Sequence, residues 1–171
     1  MTRYTLFDTP LGTCAIAWSE QGIVRTYLPE PSAAAVRARL LRHLPDAQEA
    51  EPTDDVHRAI GEISRLFTGE PVDLAWVPLV DETVPELHRQ VYAVARTIPP
   101  GSTLTYGDIA RRLGDVALAR QVGEALGRNP FPIVVPCHRV LAAGGRTGGF
   151  SARGGTETKM QLLRIEGAVL L

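Results

Sequence analysis

The sequence predicts two units. A small α/β domain over residues 1–80, an antiparallel sheet with helices, precedes a mainly α-helical domain over residues 81–171 that carries a helix-turn-helix. Three observations support this division. The first 28 residues alternate short apolar runs with turn residues, and two helices with capping signals follow. Near residues 80–84 the chain changes from acidic and mixed to basic and helical.

Residues 4–7 and 13–18 are strand candidates joined through Asp8-Thr9-Pro10-Leu11-Gly12, a proline–glycine turn. A third candidate, residues 22–28, follows Glu20-Gln21-Gly22, so the three make an antiparallel meander. Cys14 alternates with Ile16 and Trp18, which assigns it to the core. Ser32 can cap a helix over residues 33–43, with Val36, Leu40 and Leu41 at helical spacing, and Pro45 closes it. Thr53-Asp54-Asp55 opens another, whose apolar stripe is Val56, Ile60, Ile63, Leu66 and Phe67. His43 and His57 read as solvated helix residues, and residues 73–79 as a further strand. Pro85, at a first-turn position, starts a helix to about Ile98, and Pro99-Pro100-Gly101 ends it. His88 lies on that helix with no partner visible in the sequence.

Thr105-Tyr106-Gly107-Asp108 has the form of a capping box and opens a short helix to about Leu113. Gly114 and Asp115 make a turn, and Asp115 can cap a second helix to about Gly127. Two short helices around a glycine-containing turn are a helix-turn-helix candidate. The second turns Val116, Ala119, Val122 and Leu126 inward and shows Ala117, Arg120, Gln121, Glu124 and Arg128 outward. The run 131–135, clipped by prolines, reads as a buried strand that Pro136 ends, presenting Cys137 at a rigid strand end beside His138. The last helix runs over residues 156–165, with Met160, Leu162, Leu163 and Ile165 apolar and Gly167 as terminator.

The totals exclude several functions. No stretch approaches the roughly 18 apolar residues of a membrane span. Met1-Thr2-Arg3-Tyr4 lacks the regions of a signal peptide, so a cytoplasmic protein is expected. Cys14 and Cys137 are the only cysteines and are far apart, which gives neither a disulfide framework nor a cysteine-rich zinc site. The four histidines show no metal-ligand spacing, and no GxGxxG or Walker pattern occurs, so neither metal nor cofactor is expected. Residues 1–85 hold 7 Arg and Lys against 13 Asp and Glu, and residues 86–171 hold 11 against 6. That asymmetry points the second half toward an anionic partner such as nucleic acid.

Cys137 and His138 carry the chemistry. A thiolate attacks whereas a thiol hardly does, and an unperturbed cysteine near pKa ~8.5 is mostly thiol at neutral pH. His138 is the base at hand, although a bare Cys-His pair is more often structural than catalytic. Adjacent residues on an extended segment face opposite ways, so a bridging water or a sharp turn must connect them. A third group should orient the histidine. Glu166 follows Leu163 and Leu162 by three and four residues, shares their side, and needs a partner there. Ionised, it would favour the protonated form of His138 and make it a better proton acceptor. Between Cys137 and that helix, residues 144–155 hold six glycines, which let backbone approach a ligand closely, with Phe150 as a stacking surface.

Pro136-Cys137-His138-Arg139-Val140 resembles the PCHRV signature of the O6-alkylguanine-DNA alkyltransferases, the methylated-DNA–protein-cysteine methyltransferases. The likeness extends from about Leu87 to Gly167, through Ile98-Pro99, Tyr106-Gly107, Ala119-Arg120, Val122-Gly123, Asn129-Pro130, Lys159, Leu162-Leu163 and Glu166-Gly167. It implies a ribonuclease-H-like first domain and a winged-helix-like second one. The implied activity is DNA repair: one irreversible, stoichiometric transfer of a methyl or other alkyl group from O6-alkylguanine to Cys137, with O4-alkylthymine as a further candidate lesion. The implied partner is double-stranded alkylated DNA, held in the minor groove by a monomer, with cooperative assembly along DNA left open. By the same resemblance Arg120 is a finger that fills the duplex while the base is flipped into the pocket, and Gln121 and Gly123 lie on the helix that meets DNA. Tyr106 would help rotate the nucleotide and donate to guanine N3. The Val140 backbone would read the exocyclic amine, the Ser151 amide would contact O6, and Phe150 would line the loop. Asn129 would brace the turn holding Cys137, and His138, steadied by Glu166, would take the thiol proton through water.

Several positions depart from the family pattern. Gln121 replaces a usual small alanine, Phe150 a frequent tyrosine and Pro100 a common tyrosine. Ser151-Ala152-Arg153-Gly154-Gly155 is longer than the usual loop, and the zinc ligands of some N-terminal domains are absent. The alkyltransferase-like proteins, which bind without repairing, replace the cysteine that this chain keeps. Two other readings are weaker. A DNA-binding alkylation sensor would need an activator domain that the sequence lacks, and a turnover Cys-His-Glu hydrolase leaves the helix-turn-helix and Arg120 without a purpose.

Overall fold

A computed structural model describes residues 1–145 and 155–168. Strands β1 (Arg3–Thr9), β2 (Gly12–Ser19) and β3 (Gly22–Tyr27) form the expected meander. The first turn closes where the Thr9 hydroxyl donates to the Gly12 carbonyl at 2.8 Å, with Gly12 at φ +127, a conformation that favours glycine. Because side chains alternate along a strand, β2 serves two cores. Cys14, Ile16 and Trp18 join the main core, whereas Ala15 and Ala17 pack with Tyr4, Tyr27, Val36 and Leu40 under α1 (Ala33–His43).

The caps are where the sequence puts them. The Ser32 hydroxyl accepts from the Ala35 amide at 3.1 Å to open α1, after which a two-residue strand, β4 (Gln48–Glu49), runs parallel to β1. β4 is exposed and carries no signal in its composition. The Thr53 hydroxyl accepts from the Val56 amide at 3.4 Å to open α2 (Asp54–Leu66). Residues 73–79 form no strand, only one isolated bridge between Ile23 and Leu79. Their carbonyls are taken instead by Arg96, whose guanidinium donates to Leu74 at 2.9 Å and Val77 at 2.8 Å. His43 has more than solvent around it: its ring stacks on Tyr27 and Nδ1 lies 2.9 Å from the Tyr27 hydroxyl.

In the second half α3 (Glu86–Ala95) begins one residue after Pro85 and stops three before Ile98. The His88 ring lies against Tyr92, with centroids 6.2 Å apart. β5 (Leu104–Thr105) leads into α4 (Tyr106–Arg112), and both halves of the capping box form: the Asp108 amide donates to Thr105 at 3.0 Å and the Thr105 amide to Asp108 at 2.9 Å. Asp115 caps as expected, but it opens a 3-10 turn (Val116–Leu118) before α5 (Ala119–Gly127). A turn of three residues breaks the 3.6-residue register extrapolated back from α5, which explains why Val116 is 58 % exposed rather than inward. Arg120, Gln121, Glu124 and Arg128 are exposed, and Val122, Ala125 and Leu126 are buried.

The run 131–135 is not a strand. Three prolines at 130, 132 and 136 remove three ladder donors within seven residues, and the chain folds into a tight buried turn. The Val135 amide donates to the Phe131 carbonyl at 2.8 Å, and Ile133 has φ +77. A second 3-10 turn (Cys137–Arg139) leads into β6 (Val140–Leu141), which pairs parallel with β5 and gives the winged-helix-like half its small sheet. Helix α6 (Thr156–Ile165) then packs on that turn. One apolar core spans both halves, joining Ile16, Trp18 and Ile63 to Val91, Leu126, Val135 and Cys137.

Candidate active site at the Cys137 turn

The approach to Cys137 is fixed by one amide side chain. Asn129 is buried, its Nδ2 donates to the Val135 carbonyl at 2.9 Å, and its Oδ1 accepts from the Phe131 amide at 2.8 Å. Those two bonds tie the turn across its base. Ile133 then stands in a left-handed conformation that costs a β-branched residue on the order of 1–3 kcal/mol. Such strain persists only where the surroundings over-determine it, as burial of Phe131, Ile133, Val134 and Val135 does here. From this clamp the Cys137 amide donates to Val135 at 2.8 Å and the Arg139 amide to Pro136 at 3.0 Å. The sharp turn that the sequence left as one of two alternatives is therefore present.

His138 is fully buried. Its Nε2 lies 2.9 Å from Glu166 Oε2, at the C-terminal end of α6, where the carboxylate side chain is 2 % exposed. Arg139 holds the same carboxylate in a bidentate grip, Nε to Oε1 at 2.9 Å and Nη2 to Oε2 at 2.7 Å, and Nη1 donates to the Ile98 carbonyl at 2.7 Å. Burial alone would raise the Glu166 pKa. The hydrogen bonds from Arg139 and His138, with their charges, overcome it and hold the carboxyl at about 2. His138 moves below its ordinary value, first because it is buried; Glu166 opposes this, while Arg139 and Lys159 add to it. The sequence leads to the expectation that Glu166 favours the protonated form and makes His138 a better proton acceptor; burial outweighs that effect and moves the imidazole the other way. An ionised carboxylate can only accept, so Nε2 carries the proton and Nδ1 the lone pair. Nδ1 is buried and has no hydrogen-bond partner among the described residues. The arrangement is a base whose acceptor nitrogen is unclaimed, one residue from a thiol.

Two groups were not singled out from the sequence. Arg139 stood only as a letter of the motif, and a buried arginine looks like a surface one until its carboxylate is known. Lys159 is also fully buried, its Nζ donates to the Val140 carbonyl at 2.6 Å, and burial lowers it to about 8 against the opposing charge of Cys137. Its signal was available: Lys159 precedes Leu162 and Leu163 by three and four residues and so shares their buried face. Val140, expected to offer its backbone to a base, has that carbonyl already engaged by Lys159. Burial pushes the Cys14 thiol up to about 12, as suits a thiol of the core.

Tyr106 opens α4 with its ring 6.0 Å from Lys159 Nζ. Gly123 permits the approach of α5: a Cβ there would meet Tyr106 Cε2 at 3.1 Å. Arg120 and Gln121 stand exposed on the first turn of α5, whereas Tyr92 of α3 donates from its buried hydroxyl to the Ala125 carbonyl of α5 at 2.6 Å. Phe150 and Ser151 lie outside the described residues. A pocket of about 450 Å³ opens on the Arg139 side of the turn, between Leu74, Arg96, Ile98 and Ile133, and Cys137 is not in its lining. Among the described residues no group of three His, Cys, Asp or Glu side chains could hold a metal ion, and no helix is long and apolar enough to cross a membrane.

Known proteins resemble the chain over nearly its whole length. Residues 2–80 match the model of the 6-O-methylguanine DNA methyltransferase ribonuclease-like domain, and residues 86–168 that of the 6-O-methylguanine DNA methyltransferase DNA binding domain. A methylated-DNA–protein-cysteine methyltransferase of Methanosarcina acetivorans is 32 % identical over 165 residues, covering 96 % of this chain and 98 % of its own. One from Methanopyrus kandleri is 44 % identical over 120 residues, 70 % of this chain and 87 % of that one. Among solved structures, Mycobacterium tuberculosis OGT in complex with DNA aligns with a TM-score of 0.75 at 30 % identity, covering 96 % of this chain and 92 % of that one. The O6-methylguanine-DNA methyltransferase of Pyrococcus kodakaraensis aligns at 0.72 with 29 % identity, covering 98 % and 100 %.

Proposed function

The chain belongs to the 6-O-methylguanine DNA methyltransferase family, and from that premise we propose that it repairs DNA by moving the alkyl group of O6-alkylguanine onto Cys137. The observation that carries the reading is the fully buried His138, its Nε2 bound to Glu166 and its Nδ1 without a hydrogen-bond partner among the described residues, one position from Cys137. In the reaction the Cys137 proton passes to Nδ1 through a bridging water. The sulfur then attacks the alkyl carbon in line, a C–S bond forms, the C–O6 bond breaks, and its electron pair stays on the guanine, which is reprotonated. Glu166 orients the imidazole and stabilises the charge it gains, and Arg139 holds the Glu166 carboxylate in place. The lesion itself is the alkyl donor. Nothing in the site reverses a thioether, so each chain acts once.

The base must leave the stack to reach a buried thiol. In this reading residues 81–171 bind duplex DNA through the minor groove as a monomer, and residues 1–80 support the turn from behind. Arg120, exposed on the first turn of α5, fills the space that the base leaves, and Gln121 sets how closely α5 sits. Gly123 lets α5 approach Tyr106, which turns the nucleotide. A DNA substrate and a reactive thiol put this work in the cytoplasm.

The test is to incubate the protein with a duplex bearing O6-methylguanine, weigh the intact chain and map the modified peptide. One methyl group on Cys137 and a yield of one repair per chain are expected. Repeated turnover, or binding without any mass gain, would overturn the reading.

A further inference from the structure

Between β3, α1 and the chain leaving α5 lies a polar crevice of about 120 Å³, lined in part by Arg25, Tyr27, Arg39, His43, Arg128 and Asn129. Four of these six carry or can carry positive charge, although three come from the acidic half of the chain. The carboxylates near them are few. Glu30 meets Arg39 at 3.2 Å and Glu124 meets Arg128 at 3.1 Å. Arg25 stands 5.6 Å over the Tyr27 ring, has no ion pair among the described residues, and buries an Nε with no hydrogen-bond partner. His43 meets the Tyr27 hydroxyl through Nδ1, and in the tautomer where Nδ1 accepts that proton Nε2 carries an N–H to donate. Burial, then the charges of Arg25, Arg39 and Arg42, hold His43 below its ordinary pKa. On its other side Asp46 and Met1 line a separate recess. Arg25 thus brings to this cluster of cations a charge with no carboxylate partner among the described residues and one buried donor unspent.

We propose that this crevice binds a phosphate group, with Arg25, Arg39 and His43 as donors and Arg128 at its rim. Guanidinium forks match the oxygens of a tetrahedral oxyanion. The volume falls well below the roughly 300–1,000 Å³ of sites for drug-sized ligands, which suits a small ion or a single phosphodiester. The crevice also adjoins the machinery at Cys137: the Thr26 amide donates to Pro130 at 3.1 Å, its hydroxyl to Pro132 at 2.8 Å, and Asn129 both lines the crevice and ties the turn. The phosphate has two possible sources, a DNA backbone or free phosphate. Arg128 stands roughly 12 Å from Arg120 along α5 at 1.5 Å per residue, within the span of one bound duplex. The inference does not depend on the chemistry of Cys137.

The experiment follows the imidazole resonances of the full-length chain while inorganic phosphate is added, and in a second arm an undamaged duplex. Phosphate should shift His43 saturably and leave His57 and His88 in place, and Arg25→Gln should weaken that affinity at least tenfold. If the source is the backbone, Arg25→Gln also lowers duplex affinity at least threefold and reduces its salt slope by about one contact. If the source is free phosphate, duplex affinity stays the same. Transfer from free O6-benzylguanine reports that the variant is folded; should it not fold, Arg25→Lys keeps the charge, loses the fork and should still weaken phosphate binding. A His43 signal unmoved in both arms, or one moved equally in wild type and variant, overturns the proposal.

Discussion

At Glu166 one carboxylate serves two partners, so neutralising it separates electrostatics from shape. Its pKa drops from an ordinary 4.5 to about 2, which corresponds to roughly 3 kcal/mol of folding free energy. At intermediate pH the folded chain binds fewer protons here than the unfolded one. The contribution is therefore complete above pH 4.5 and is lost as pH falls toward 2. Glu166→Gln keeps the size but leaves Arg139 buried without its counter-charge, and should cost about 3–5 kcal/mol at pH 7. The gap between variant and wild type should narrow between pH 4.5 and 3, as read from urea midpoints. A gap that is the same at pH 7 and pH 3 would show that the carboxylate is not ionised through Arg139. The residues of this site differed in how legible they were. Cys137 and His138 were visible by chemistry and Glu166 by its spacing from Leu162 and Leu163. Arg139 was not, because a charge buried against a carbonyl and a carboxylate leaves the same letter in the sequence as a charge in water; Lys159 was passed over although its spacing from Leu162 and Leu163 puts it on their buried face.

The turn over residues 131–135 is the element that decides where the thiol stands, and the one whose composition misled. Val134 and Val135 read as strand, yet the flanking prolines and the Asn129 clamp outweigh β propensity, which fits a pleated surface rather than forcing one. By contrast the helices opened by Ser32, Thr53 and Thr105 were legible, because a cap is a local bond between near neighbours. Val116 was misplaced since nothing in the sequence distinguishes a 3-10 first turn from an α-helical one. The turn makes a sharp prediction at Ile133. Ile133→Ala loses buried side chain, about 2–5 kcal/mol, and keeps the left-handed strain. Ile133→Gly loses the same side chain but relieves roughly 1–2 kcal/mol of that strain. Glycine should therefore be the more stable of the two by about 1 kcal/mol, a reversal of its usual rank. Thermal unfolding of both variants reads this order directly, and alanine melting above glycine would remove the strain argument.

Across the whole molecule, the two halves share one core and one seam. Ile16 and Trp18 of β2 pack in the same cluster as Val91, Leu126 and Cys137, and Thr26 joins β3 to the Cys137 approach through its amide and its hydroxyl. A chain built this way should unfold in a single transition, because neither half can lose its partner without exposing the common core. Both tryptophans, Trp18 and Trp76, lie in the first half, so their fluorescence follows that half. Pulse labelling of Cys137, read by peptide mapping, follows the second. The two urea curves should superimpose. Thr26→Val then probes the seam, since it keeps the shape and the amide bond but leaves the Pro132 carbonyl buried without its donor, a cost of about 1–3 kcal/mol. Both probes should move to lower urea together and remain coincident. If fluorescence and Cys137 labelling part company in the variant, the seam rather than the core couples the halves; if they already diverge in the wild type, the shared core does not act as one cooperative unit.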